Sequence, residues 1–153
     1  MSYTDRGDHE ANQGDIFAGV RFEGFEMDGM ITAHDCVCDK FLAPRTSLTA
    51  EAQDSFVVAV APVHPVSELT GDRSAHVRRH AMPRYFYLEA ADGRDELVAD
   101  LYLEQPVRFI DLLRCHRIAS LSDAARARLW QQFMRLRLGE DYMKFLKELV
   151  DAS

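Results

Sequence analysis

The chain has 153 residues, 47% hydrophobic and 28% charged, a balance that suits one globular domain and excludes wholesale disorder or a fibrous repeat. Its formal net charge of -7 excludes binding to nucleic acid through bulk positive charge, which works by displacing counterions with lysine and arginine. The cysteines, Cys36, Cys38 and Cys115, are odd in number and two sit close together, so they do not read as a disulfide framework and point to a reducing, cytoplasmic setting.

Residues 1–14 have no apolar period and read as a mobile N-terminal tail without the basic and apolar segments of a signal peptide. Next, Ile16, Ala18, Val20 and Phe22 alternate with Phe17, Gly19, Arg21 and Glu23, predicting a strand with the first set buried. Gly24 and the pair Asp28-Gly29 predict a turn region. Met30, Thr32 and His34 then alternate with Ile31, Ala33 and Asp35 as a second strand, which, carried onward, puts Cys36 and Cys38 on the face of His34. Pro44, Ser47 and Thr49 mark residues 40–54 as a loop or short helix. Ser55 to Ala61 is β-branched and apolar on both faces, the pattern of a central strand, and Pro62 and Pro65 end it.

The polar stretch Ser67 to Met82 reads as a loop or short surface helix. Arg84 to Leu88 and Glu96 to Leu103 form a hairpin around the turn Ala91-Asp92-Gly93. Pro106 interrupts, and Val107 to Leu113 and Cys115 to Ala119 extend the β pattern. Ser122 is a helix N-cap, Ala125, Leu129, Phe133 and Leu136 follow at helical spacing, and Gly139 is a stop. A last helix, 140–150, sets Tyr142, Phe145, Leu146 and Leu149 on one side. The expected architecture is mainly β: a small barrel over 15–120 with C-terminal helices, 121–153, packed on it. The longest apolar run, Phe56 to Val63, is too short to cross a bilayer.

Two clusters invite chemistry. His34, Cys36 and Cys38, completed by Cys115 or His116, offer the ligand types that zinc prefers. On an extended strand, however, a Cys-x-Cys pair holds its sulfurs about 6–7 Å apart, too far to share one ion without a sharp bend, so no metal is expected. The same cysteines could act as nucleophiles with His34, His64 or His116 as base, but no local signature supports that pairing. Arg73, Arg78, Arg79, His80 and Arg84 form the second cluster, a candidate phosphate clamp set against the simpler reading of a solvated loop. Charge is uneven: the first 60 residues carry a net -7, and residues 105–137 a net +5. No Walker loop, G-x-G-x-x-G or G-x-S-x-G is present, and no cofactor is implied.

Several segments together resemble the PemK/MazF-like, toxin-related family of SH3-like β-barrels. They are Gln13 to Phe17, Gly29 to Cys36, Phe56 to Pro62 and Arg84 to Leu88, with Cys38-Asp39, Asp111-Leu112 and Arg117 to Ser122 matching one branch. The resemblance spans about residues 13–138 and implies an SH3-like barrel. Active members are ribonucleases that use a basic and a hydroxyl residue near the second and third strands. Here these fall on Arg21 and Thr32, with His64 standing where a Thr or Ser is usual. Met27-Asp28-Gly29 replaces the family's Arg-Pro. The expectation is therefore a non-enzymatic module that binds a protein or RNA in bacterial or phage conflict, and that can pair as a homodimer. The alternatives are an endoribonuclease toxin acting on single-stranded RNA and a zinc-dependent binding module.

Overall fold

In the computed structural model, which describes residues 3–4, 11–42, 48–91 and 93–153, the strand with two apolar faces sits in the middle of an antiparallel sheet. The strands are β1 (Tyr3–Thr4), β2 (Ile16–Phe22), β3 (Phe25–Ile31), β4 (Val57–Pro65), β5 (Tyr85–Leu88), β6 (Leu97–Asp100), β7 (Gln105–Arg108) and β8 (Arg117–Leu121). The helices are α1 (Asp35–Leu42), α2 (Ala50–Ser55), α3 (Arg73–Arg78), α4 (Phe109–Leu113) and α5 (Asp123–Ala152). The order across the sheet is β1-β8-β2-β3-β4-β6-β5, with β7 also paired to β4. Helix accounts for 41% and strand for 33%, and the sheet is not closed, so the expected mainly-β barrel gives way to an open sheet in a mixed fold. Among the described residues no helix is long and apolar enough to cross a membrane.

Helices cover both faces. On one, Ala125, Leu129 and Phe133 of α5 pack on Ile16, Met30, Val63 and Phe86. On the other, α1 and α4 bring Cys38, Phe109 and Leu112 against Val20, Val58 and Val60, while α3 seats Val77 beside Tyr85 and Val98. Ser122 caps α5, its hydroxyl accepting from the Ala125 N–H at 3.2 Å. Gln132 locks α5 to the start of β5, its side-chain amide donating to Pro83 O at 2.9 Å and Tyr85 O at 2.7 Å. Gly139, at φ 79, interrupts α5 where the stop was expected. Beyond it Phe145 and Leu149 are exposed, while the side chains of Tyr142 and Leu146 lie outside the described ones.

The local departures have physical causes. The β2–β3 turn is Glu23-Gly24, closed by the Phe22↔Phe25 pair, and Asp28-Gly29 lies inside β3. Between Phe17↔Gly29 and Val20↔Met27, β2 spends two residues against one, a bulge that turns Phe17, Val20 and Phe22 to one face and buries Phe17. Pro62 does not end β4. Thr32 N–H donates to Ala59 O at 2.9 Å, so Gly29↔Pro62 falls between hydrogen-bonded pairs and the proline nitrogen faces the other edge. There β7 has stopped at Gln105↔Val60 and β6 begins at Ala99↔Val63, so no ladder bond is lost.

The second strand stops at Ile31, and His34 opens a helix instead: its ring Nδ1 accepts from the Cys36 N–H at 3.3 Å. Val37, Cys38, Phe41 and Leu42 then recur at helical spacing against the core. Phe109 to Leu113 is likewise helical, with Phe109 and Leu112 buried. Most of residues 1–10 lie outside the described ones, and the rest of the segment expected as a tail makes contacts. Tyr3–Thr4 pair with β8, and Ala11, Gln13 and Gly14 are buried, with Asn12 N–H donating to the Asp15 carboxylate at 2.9 Å. The Pro44, Ser47 and Asp92 readings fall outside the described residues.

Gly29 is required by space. A Cβ there would stand 2.8 Å from Val60 Cγ1 and 3.0 Å from Phe22 Cζ. Gly29→Ala is expected to destabilise the protein by about 1–3 kcal/mol, seen as a lower urea midpoint at unchanged slope.

Candidate functional site

The β2 bulge shapes a cleft. β8 pairs with β2 only at Ile16 and Phe17, which leaves the edge from Gly19 to Arg21 without a strand neighbour on that side. α4 and the residues after it lie along this edge and enclose about 380 Å³, within the range of small-ligand pockets. Val20, Val107 and Leu112 give the cleft an apolar floor, and Arg21, Arg108 and Arg114 stand around it with Glu26, Asp111 and Cys115. Gly19, at φ 63 in the bulge, donates its N–H to the Asp28 carboxylate at 3.2 Å, and its carbonyl faces the Cys115 thiol at 3.9 Å.

The three guanidiniums differ in how they are held. Arg108 is bound to Asp54 twice, through the carboxylate at 2.8 Å and the carbonyl at 2.9 Å. Arg114 is 74% exposed and, among the described residues, meets a single carboxylate, Asp111, at 3.7 Å. Arg21 is exposed and has no carboxylate partner among the described residues. A planar fork of N–H donors above an apolar floor suits an anionic group joined to a flat or apolar one.

Of the predicted catalytic set, only Arg21 lies here. The residue across the β2–β3 ladder from Arg21 is Glu26, and Thr32 is six residues beyond Glu26, just past the end of β3 and about 20 Å away at the rise of a strand. Thr32 is buried, and its hydroxyl donates to Glu104 at 2.7 Å, whose other oxygen accepts from Arg137 at 3.2 Å. His64, at the end of β4, stands 3.5 Å from Glu68 and edge-on to Tyr85. These three residues are not brought to one point.

The predicted clamp is divided too. Arg78 forks onto Glu96 with two bonds of 2.8 Å, and Arg84 onto Asp100 at 3.0 and 2.7 Å while lying over the Tyr85 and Tyr102 rings. Arg79 reaches His76, His80 meets the edge of Tyr87, and Arg73 is exposed on α3. The candidate metal ligands are separated because the cysteines lie on a helix: Cys36 points out, Cys38 is fully buried, and Cys115 lies in the cleft. Among the described residues no three metal-binding side chains are placed together. Burial, then Asp35, pushes the Cys38 thiol up to about 12, and burial, then Asp111 and Glu26, raises that of Cys115. Both are therefore thiols at neutral pH, which disfavours them as nucleophiles.

Arg108, Asp111 and Arg114 were not singled out as a site by the sequence reading. The excess of arginine over residues 105–137 signals the two arginines, and Asp111 enters only as part of the Asp111-Leu112 match. No protein-family model matches the chain, and no curated protein does.

Iodoacetamide on the native protein at pH 8 is expected to label Cys36 first, Cys115 more slowly and Cys38 only on unfolding, as read by peptide mass. Glu96 gives a second test. Hydrogen bonds from Arg78 and then Tyr87 hold its carboxyl down to about 2 from 4.5. A lowered folded-state value adds stability above the unfolded value that is lost as pH falls from about 4.5 to 2. Acid titration of Glu96→Gln should show a smaller loss over that window than the parent protein.

Proposed function

We propose that the protein is a non-enzymatic binding module that takes a phosphate-bearing nucleic-acid segment into the cleft between β2 and α4. The observation that carries this reading is Arg21, exposed and without a carboxylate partner among the described residues, in the same cleft as the loosely held Arg114 and an apolar lining. Guanidiniums bind phosphate oxygens through paired donors, and the valines and Leu112 offer a base an apolar seat. The chain's overall charge of -7 restricts binding to a local contact rather than a long track. The resemblance to PemK/MazF-like proteins makes RNA the first nucleic acid to test and bacterial or phage conflict the setting. A protein partner or a second copy would meet the exposed Trp130, Phe145 and Leu149 of α5.

A second reading, an endoribonuclease, has one observation in its favour: the 2.7 Å bond from the Thr32 hydroxyl to Glu104, a hydroxyl beside a carboxylate base. Its distance from Arg21 ranks it below binding.

The test is fluorescence anisotropy with short single-stranded RNA at two salt concentrations. Arg21→Ala and Arg114→Ala should each weaken binding about 5-fold or more and flatten its salt dependence. Binding unchanged in both variants refutes the cleft as the site. Cleavage of the RNA that disappears in Thr32→Ala would move the second reading to the front.

A further inference from the structure

Asp111 stands where a ligand's anion would sit. One carboxylate oxygen lies 3.7 Å from Arg108 and the other 3.7 Å from Arg114. Both separations are too long for hydrogen bonds, so the carboxylate is drawn to two cations without satisfying either. Arg108 has its close bonds elsewhere, on Asp54, and Arg114 has no other acid partner among the described residues. Asp111 is 48% exposed on a five-residue helix and is free to turn aside.

Resting on the binding reading above, we propose that the cleft selects the terminal phosphate monoester of a nucleic-acid strand, with Asp111 as the internal anion that this phosphate must displace. The selection follows from charge. A phosphodiester carries one negative charge, so exchanging it for Asp111 between the guanidiniums leaves the electrostatic balance where it was. A terminal monoester carries about -1.5 to -2 at neutral pH and gains from the same exchange. It also has three free oxygens, so it can accept from more than one guanidinium of the cleft.

Asp111 therefore acts as a threshold: turning it aside costs the same whichever anion enters, so it weakens every anion alike and leaves the larger charge of the monoester to set the preference. The cleft contains its own reporter, since Asp111 is among the causes that raise the Cys115 thiol.

The experiment compares one short RNA sequence with a 5′-phosphate, a 3′-phosphate or hydroxyls at both ends, against the parent protein, Asp111→Asn and Arg21→Ala. A phosphoserine peptide of matched net charge is the control. The expected result is that a phosphorylated end binds the parent protein about 5-fold or more tightly than the hydroxyl-ended strand. Asp111→Asn should tighten both strands by a similar factor, leaving that gap in place, and should speed Cys115 alkylation in the absence of RNA. The phosphorylated strand should slow that alkylation in the parent protein. Equal affinity for all ends, lost in Arg21→Ala, keeps the binding reading and overturns the selection. Affinities unchanged in Asp111→Asn, with Cys115 alkylation accelerated, overturn the role of Asp111. Equal binding of the phosphopeptide overturns the nucleic-acid assignment. No binding by the parent protein or by Asp111→Asn overturns both readings.

Discussion

β4 carries Val58 and Val60 to one side and Ala61 and Val63 to the other, and all four are buried. A valine left in water forfeits about 1.5–3 kcal/mol of burial, so an open face on β4 would consume a large share of a stability of about 5–15 kcal/mol. Both sides must therefore be dry. A closed small barrel gives each strand one interior and leaves the other face outside. An open sheet sandwiched between α5 and the shorter helices gives β4 two interiors. The open, mixed architecture thus follows from one strand's composition, and the positions of α1, α4 and α5 follow from it in turn.

The elements that were legible in the sequence are those whose signal is local. β4, the β5–β6 hairpin, the Ser122 cap and the Gly139 break each carry their cause within a few residues. What was not legible depends on partners far along the chain. The alternation Met30, Thr32, His34 looks like a strand until the helical repeat of Val37, Cys38, Phe41 and Leu42 is weighed, and that repeat matters only because a core lies beside it. Asp28-Gly29 has the composition of a turn, yet Gly29 is needed because Val60 and Phe22 fill the space a side chain would take. Arg21 of the candidate site was reached through resemblance, whereas Arg108, Asp111 and Arg114 acquire meaning only once α4 folds back along β2.

Arginine is this chain's tie as much as its charge. Arg117 holds the buried Asp15 at 3.2 Å, Arg126 holds Asp35 at 2.7 Å, and Arg84 holds Asp100 across the β5–β6 hairpin. Each joins segments distant in sequence or secures a hairpin. A count of arginines therefore overstates the cationic surface, and the run from Arg73 to Arg84 is partly neutralised by carboxylates of the adjoining hairpin. What distinguishes the cleft is which of its guanidiniums remain uncommitted.

The covering of the sheet by α5 has a consequence for biosynthesis. Every strand of the sheet leaves the ribosome before the helix that roofs one of its faces. At about 5–20 residues per second, Met30 and Val63 wait several seconds for Leu129 and Phe133 to arrive. During that interval the nascent sheet shows an apolar face with no roof, the kind of surface that chaperones hold and that neighbouring nascent chains stick to. The two bonds of Gln132 to the start of β5 end that interval, because they can form only when the helix has seated in register.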